Sequence, residues 1–138
     1  MAPKIKITYF NGKGRAESTR LALVVGGIDF EDERIKGEEF AKRKANGDFV
    51  FGSLPAMTVI DGDNKASSYA QSDAMLRYCG KLAGLYPTSD HLNAMQIDMV
   101  VGALEDVVID IFKDNSLEGR TKFTTEGIPK YFNPIEKM

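Results

Sequence analysis

Tyr9 is the first residue in the chain whose type and position could support chemistry. It lies near the end of a short β-rich segment, residues 5–10, directly before the glycine-containing turn of residues 11–14. A phenol at a strand end can donate a hydrogen bond to an anion, and such a bond lowers the pKa of a thiol held there. A free thiol has a pKa near ~8.5 and needs that help to be nucleophilic at neutral pH. The alternative, commoner for a lone tyrosine, is a strand residue with one solvated end.

Two further segments could bind the polar groups of a small molecule. Ser72 is a good N-cap, and the free N–H groups and dipole at a helix start attract a carboxylate that Gln71 could flank. The structural alternative is a plain helix cap. Ser53-Leu54-Pro55 precedes a strand, and a cis bond at Pro55 would turn the Leu54 N–H and C=O outward to pair with an extended peptide. Most X–Pro bonds are trans, so base rates favour a trans bond here, and the residues alone do not settle the isomer.

Other reactive residue types point away from catalysis and metal binding. Gly12-Lys13-Gly14 lacks the third glycine of a dinucleotide loop and the Lys-Ser/Thr ending of a P-loop. His91 sits in a polar linker without a second ligand, and Cys79 falls on an apolar helix face where a core role is expected. As the only cysteine, Cys79 can form neither an internal disulfide nor a CxxC motif. We therefore expect no metal site and a reducing, cytoplasmic setting.

Composition narrows the class of protein. The 138 residues are 43% hydrophobic and 28% charged, an ordinary balance for a folded soluble domain. The net charge of −2 predicts no nucleic-acid or anionic-membrane partner. The longest apolar run, residues 21–25, is far too short to cross a bilayer.

The elements that would position these residues follow the order β-α-β-α-β-β-α. Strands are predicted at residues 5–10, 28–35, 56–60 and 65–69, and helices at 15–25, 38–44 and from Ser72 to a stop at Gly84. A crossover helix between the first two strands predicts a parallel pair, and the hairpin turn at residues 61–64 predicts an antiparallel pair. The result is a mixed sheet covered by helices, in which the charged strand 28–35 suits an edge.

A linker at residues 86–89 separates this unit from a purely helical remainder. Helices are predicted at residues 92–113 and 125–138, and the predicted domains are 1–84 and 90–138. The long helix carries so many apolar residues that some of them must face water unless another surface covers them.

Taken together, these segments resemble the glutathione transferases and, within that family, the sigma class. The resemblance covers almost the whole chain, and its motifs follow the family's order at nearly the family's spacing. They are Ile7-Thr8-Tyr9-Phe10-Asn11, Gly14-Arg15-Ala16-Glu17, Phe51-Gly52-Ser53-Leu54-Pro55, Ala70-Gln71-Ser72-Asp73-Ala74, Arg77-Tyr78, Gln96-Ile97-Asp98 and Ile128-Pro129-Lys130-Tyr131. The resemblance implies an α/β thioredoxin-like N-terminal domain followed by a partial all-α domain.

The resemblance also implies roles in binding glutathione, which would be a co-substrate. Tyr9 is similar to the family's catalytic tyrosine, which stabilises the glutathione thiolate. Ser72 and Gln71 match the residues that hold the γ-glutamyl carboxylate and amine. The backbone of Leu54 would pair with the cysteinyl part, and Ser53 would lie beside it.

Five more positions take their expected roles from the same resemblance. Pro55 would follow a cis bond, and Arg15 matches a structural or site-edge arginine. Lys44 and Phe40 match the lysine and tryptophan that the class places near the glycyl carboxylate. Asp106 matches an acidic residue that reaches the glutathione of a neighbouring subunit, which implies a homodimer or another protein subunit as partner.

The chain departs from the family pattern in three places. Residues 45–50 form a longer connection than usual, and Phe40 lacks the indole N–H of a tryptophan. The chain ends at Met138, short of the family's usual length, so we expect a shortened helical domain. The leading hypothesis is a transferase that adds the glutathione thiolate to small apolar electrophiles, of which a sigma-class isomerase is a narrower form. The alternatives are a non-catalytic binding or assembly module and, less favoured because no cysteine lies near Tyr9, a thiol–disulfide reductase.

Overall fold

The computed structural model describes residues 3–138 and divides the chain into two compact units, the first ending at Tyr86 and the second spanning Pro87–Met138. The predicted order of elements in the first unit is confirmed. Its strands are β1 (Lys4–Phe10), β2 (Phe30–Ile35), β3 (Ala56–Ile60) and β4 (Ala66–Ala70), and its helices are α1 (Glu17–Val25, after a 3₁₀ turn at Gly14–Ala16), α2 (Gly37–Ala45) and α3 (Ser72–Leu82). The predicted domain ranges, 1–84 and 90–138, stay a prediction.

The four strands form one mixed sheet in the order β2-β1-β3-β4. β1 pairs in parallel with β2 and antiparallel with β3, and β3 pairs antiparallel with β4. The predicted parallel crossover, the predicted hairpin and the edge position of the charged strand β2 are therefore all confirmed. β2 tolerates the edge because its charged side chains are largely solvent-accessible, while Ile35 at its end is buried.

The core of the first unit lies between β1, β3 and the helices α1 and α3. Met75 and Cys79 stand four residues apart and so share the inward face of α3, as Thr19 and Leu23 do on α1. Burying a side chain such as Leu23 stabilises the fold by roughly 1.5–3 kcal/mol. Burial also raises the pKa of the Cys79 thiol to about 11, so its predicted role in the core is confirmed.

The second unit is helical throughout. It contains α4 (His91–Lys113), α5 (Leu117–Lys122), a π-helical turn (Phe123–Gly127) and α6 (Ile128–Ile135). The prediction of a single helix over residues 125–138 is wrong, because helical structure already begins at Leu117 and α6 ends at Ile135. The Ser116 hydroxyl accepts the Gly119 N–H at 3.0 Å and caps this earlier start.

Apolar side chains of α4 are exposed, as the sequence predicts. Leu92, Met95, Met99 and Phe112 are each at least half exposed, and Val107 is the one buried residue of α4. Among residues 3–138, no helix is both long and apolar enough to cross a membrane.

Candidate active site

The register of the sheet brings three of the predicted site segments to one edge of the sheet, namely the end at which β1 and β4 finish and β3 begins. Thr8 of β1 lies opposite Ala56 of β3, and Ala56 lies opposite Ala70 of β4. Because neighbouring strands in this row run antiparallel, the next residues beyond it, Tyr9, Pro55 and Gln71, all leave the row in the same direction. The sheet thus places them side by side.

The phenol of Tyr9 is held at the start of the first helical segment. Its oxygen accepts the backbone N–H of Arg15 at 3.3 Å, which leaves the phenolic hydrogen to donate to a ligand. Gly14 has φ +44°, and a Cβ at that position would lie 2.6 Å from the Tyr9 oxygen. The close approach and the left-handed backbone therefore both require glycine here. The backbone N–H of Arg15 contacts Tyr9, and Arg15 as a residue is exposed.

The peptide bond between Leu54 and Pro55 is cis, as the resemblance implies. Pro55 is buried next to Ala56, Leu54 is half-buried and Ser53 is exposed. Leu54 packs against the small cluster of Ile35, Phe49 and Ala56, so the loop that carries it is anchored to the sheet. This fixed backbone lies one strand away from Tyr9.

Gln71 and Ser72 differ in one respect from the prediction. The Gln71 carbonyl accepts the N–H of Met75 at 3.0 Å, so Gln71 occupies the N-cap position and Ser72 is the first residue of α3. The expectation that Ser72 is the N-cap is wrong by one residue. Gln71 adopts φ 73° and ψ 109°, a conformation that non-glycine residues rarely adopt and that concentrates at functional sites. Ser72 is buried at the helix start, where the first N–H groups lack intrahelical partners.

Aromatic rings connect Tyr9 to α2. Successive ring centroids lie 5.6 Å apart for Tyr9 and Phe10, 5.4 Å for Phe10 and Phe40, and 5.7 Å for Phe40 and Phe49. The Lys44 ammonium lies 5.7 Å from the centroid of the Phe40 ring. This aromatic row therefore brings Phe40 and Lys44 towards the same edge of the sheet as Tyr9.

The longer connection after α2 folds back onto the helix. Gly52 has φ +61°, and a Cβ there would lie 3.2 Å from Cε of Lys44, so the lysine stem rests against this glycine. Arg43 pairs with Asp48 at 3.5 Å and lies over the ring of Phe49, which is buried. The loop thus holds Lys44 beside the residue that precedes Ser53.

An ion-pair network that the sequence did not predict joins β1, β2 and α2. Glu33 accepts hydrogen bonds from the buried Thr8 hydroxyl at 2.6 Å and from Arg43 at 3.0 Å, and it pairs with Lys6 at 3.5 Å. Burial of the Glu33 carboxyl opposes ionisation, but the hydrogen bonds from Thr8 and Arg43 outweigh it, so its pKa is lowered. From the sequence, the charged residues of β2 indicated a solvent-exposed edge strand and did not indicate that Glu33 forms ion pairs.

Arg20 is the second residue missed. Its guanidinium is buried against the turn that leads to Gly14, and it binds Asp32 at 2.8 Å. The spacing of Ala16, Arg20 and Leu23 on one helix face could have identified it, because that face is the buried one.

Asp106 is the remaining predicted site residue. It lies on α4 in the second unit, where its side chain is exposed. The pKa of nearby Lys130 is raised by its hydrogen bond to Tyr131 and, to a smaller extent, by the charges of Asp110 and Asp106.

Known proteins resemble the chain in sequence and in structure. No family model matches it. The Glutathione S-transferase class-mu 28 kDa isozyme of Schistosoma mansoni is 35% identical over 124 residues, which are 88% of this chain and 57% of that protein. Human Glutathione S-transferase A1 is 36% identical over a 145-residue alignment that covers 100% of this chain and 63% of that protein. The orthorhombic structure of NaGST1 matches with a TM-score of 0.83 at 27% identity, covering 99% of this chain and 67% of that one.

A four-stranded mixed sheet with a cis-proline before β3, followed by a helical unit, defines the class of thioredoxin-fold proteins with an appended helical domain. Within that class, the chain has the fold of the glutathione transferases, and both its curated relatives and its structural neighbours support membership of the glutathione transferase family. The matches carry names from several classes, including mu, nu and sigma, so they do not single out the sigma class. The chain spans about three fifths of the length of these curated relatives, 57% and 63%.

Proposed function

We propose that the protein binds glutathione at the edge formed by Tyr9, Leu54-Pro55 and Gln71-Ser72 and adds its thiolate to a small apolar electrophile. The observation that carries the proposal is the Tyr9 phenol, held by the Arg15 N–H at 3.3 Å in the same row as the cis-proline and the start of α3. Glutathione is the co-substrate, and the absence of a metal from the mechanism stays a prediction.

Tyr9 would act on the sulfur of glutathione. Its O–H donates to the thiolate, which favours the charged form and lowers the pKa of the thiol. The thiolate then attacks an electrophilic carbon, a C–S bond forms, and a leaving group departs with its electron pair. Because the Arg15 N–H already occupies one side of the phenol oxygen, the hydroxyl hydrogen is directed away from the turn.

The remaining groups would bind the two ends of the tripeptide. The free N–H groups at the start of α3, with Ser72 and Gln71, suit the γ-glutamyl carboxylate. The backbone of Leu54, with Ser53 beside it, would pair with the cysteinyl part as an added strand does. Lys44, over Phe40, suits the glycyl carboxylate, and Arg15 borders the site.

The test is Tyr9→Phe with Tyr69→Phe as a matched control. Tyr69 is an exposed residue of β4 in the same sheet. Removing one donor to a developing anion costs roughly 10²–10³-fold in turnover, so Tyr9→Phe should conjugate a generic electrophile about 100-fold more slowly while glutathione affinity by calorimetry stays within about threefold. Equal turnover in Tyr9→Phe and Tyr69→Phe would remove Tyr9 from the mechanism.

The same assay separates the alternatives. Retention on immobilised glutathione without turnover of any electrophile would favour the binding or assembly module, and turnover at ordinary rates would exclude it. A sigma-class isomerase is the narrower form of the proposal, and isomerisation of a prostaglandin-type peroxide would distinguish it from conjugation alone. The cytoplasmic location stays a prediction.

We also propose a homodimer in which Asp106 reaches glutathione bound to the other subunit. Support comes from the exposed apolar side chains of α4, including Leu92 and Phe112 at 71% and 68% exposure. Covering such side chains stabilises by roughly 25 cal/mol per Å² of apolar surface. Light scattering at micromolar concentration should give twice the chain mass, and a well-folded monomer that binds glutathione normally would contradict the proposal.

A further inference from the structure

Arg20 is the only charged side chain that is buried among residues 3–138, with 5% of its surface exposed. Burying a guanidinium is unfavourable unless its donors are paired. Its Nη2 is buried without a hydrogen-bond partner within the described residues, which adds to that penalty. The contacts of its other nitrogens show which segments the guanidinium joins.

The guanidinium joins three segments of the first unit. Nη1 donates to the Gly12 carbonyl at 2.9 Å, and Nε donates to Asp32 of β2 at 2.8 Å. Nη1 also pairs with Glu17 at 3.2 Å within α1. The planar fork of arginine can make these contacts at fixed angles, whereas the single ammonium of lysine cannot reach all of them.

The turn that Arg20 holds is the one that positions Tyr9. Gly12 and Lys13 lead directly into Gly14, which lies against the Tyr9 phenol, and into Arg15, whose N–H binds the phenol oxygen. Arg20 itself lies 5.9 Å from the centroid of the Tyr9 ring. One buried side chain thus contacts the turn on one side and approaches the tyrosine ring on the other.

We propose that Arg20 is a positioning residue that fixes the Tyr9 phenol for the glutathione thiolate by holding the Gly12 carbonyl in place. The inference rests on the proposed function, because it assigns Arg20 an effect that is transmitted only through Tyr9. Asp32 and Glu17 in turn hold Arg20, so weakening either of them should produce a smaller effect in the same direction.

The test measures the thiolate of bound glutathione by its ultraviolet absorption across pH, in the full chain. In Arg20→Lys, the pKa of the bound thiol should rise enough to leave about tenfold less thiolate at a pH below that pKa. Glutathione affinity by calorimetry should change by no more than about threefold. Arg34→Lys is the matched control, because the Arg34 guanidinium also pairs with Asp32, at 2.9 Å, but donates to the Asn11 side chain rather than to the Gly12 carbonyl. Arg34 lies opposite Tyr9 only through the backbone of the sheet, which the substitution keeps.

A double-mutant cycle separates positioning from a general structural effect. If Arg20 acts through Tyr9, then Arg20→Lys in a Tyr9→Phe background should leave the thiolate titration unchanged. An equal loss in both backgrounds, or a wild-type thiolate titration in Arg20→Lys, would overturn the inference alone. No thiolate in the wild-type chain would instead overturn the proposed function, and this inference with it.

Asp32→Asn provides a second variant that keeps Arg20 itself. It removes the charge that holds Nε and should leave about two- to threefold less thiolate than wild type. If Arg20→Lys does not fold, the thiolate titration of Asp32→Asn compared with that of Arg34→Lys decides the inference. Equal titrations in those two variants would overturn it.

Discussion

The sheet of the first unit and the helices of the second are stabilised in different ways. The first unit buries side chains from three strands and two helices, and its charged groups pair around Arg20 and Glu33. Within Pro87–Met138, Val107 is the only buried residue, and local polar contacts join the helices. Tyr131 of α6, for example, donates to Asp110 of α4, which also binds Lys113.

This difference shows where the geometry of a site can be fixed. Hydrogen bonds from Lys113 and Tyr131 lower the pKa of Asp110 to about 2, yet a surface contact of this kind contributes little to stability. In the first unit, a substitution at the site meets rigid neighbours and should change function. In the second unit, apart from the proposed role of Asp106, a substitution meets solvent or local caps and should change mainly the nearby helix.

Gly14→Ala should have the largest effect and tests the rigidity of the first unit. The new Cβ would lie 2.6 Å from the Tyr9 oxygen on a backbone at φ +44°, so either the phenol or the turn must move. A misplaced catalytic group costs about 100-fold in rate, and we expect that loss in conjugation turnover. Gly12→Ala is the control, because nothing lies within 4 Å of a Cβ at Gly12. Similar rates for the two variants would show that the turn adapts.

Leu23→Ala and Leu104→Ala make a matched comparison of the two units. Leu23 of α1 is fully buried and Leu104 of α4 is 41% exposed. Truncating a buried leucine costs roughly 2–5 kcal/mol in free energy of unfolding, whereas a partly exposed one should cost less than about 1 kcal/mol. Urea unfolding followed by circular dichroism measures both values. A loss at Leu104 as large as at Leu23 would mean that α4 is covered in solution, which would support the proposed dimer.

Glu33→Gln should have an intermediate effect that depends on pH. The folded-state pKa of Glu33 is lowered, so its ion pairs stabilise the protein above the unfolded pKa of about 4.3, and this stabilisation is lost as pH falls through the folded pKa. At pH 7 the variant should be about 1–2 kcal/mol less stable than wild type. Below the folded pKa the two unfolding free energies should converge. A difference that stays constant from pH 7 to pH 3 would contradict the role of the charge.

Ser116→Ala should have the smallest effect and tests the local stabilisation of the second unit. The Ser116 hydroxyl caps α5, and replacing such a cap with alanine costs about 1 kcal/mol. Amide hydrogen exchange should become faster at residues 117–122 and stay unchanged in β1 and β3. Ser116→Asp should restore slow exchange, because aspartate caps a helix as well as serine does. Faster exchange throughout the sheet would show that the two units unfold together.

The sequence predicts the sheet well because its signals are local. The hairpin of residues 61–64, the apolar strand after Pro55 and the helix face of Met75 and Cys79 each need only neighbouring residues to be recognised. The motifs that resemble the family contain Tyr9, Leu54 and Gln71, and the sheet register brings these residues to one end of the strands. Their roles in binding stay a prediction.

Other features depend on contacts between distant residues. The contact of Arg20 with Asp32 and the contact of Thr8 with Glu33 join residues 12 and 25 positions apart, and charge alone does not reveal them. The helix starts one residue earlier than predicted, because Gln71, with its positive φ, takes the N-cap position that the sequence suggested for Ser72. The early start of α5 was missed, although Ser116 caps a helical stretch that continues into α6.

The row formed by Thr8, Ala56 and Ala70 marks the end of the sheet that does not tolerate changes in chain length. The opposite end of the sheet does tolerate them. Adding or removing one residue within β1 would turn Tyr9 to the opposite face of the sheet, because side chains alternate along a strand. The loop of residues 61–65 joins β3 and β4 at the opposite end of those strands. An inserted peptide tag or a longer natural loop should therefore be accommodated there without moving the candidate site.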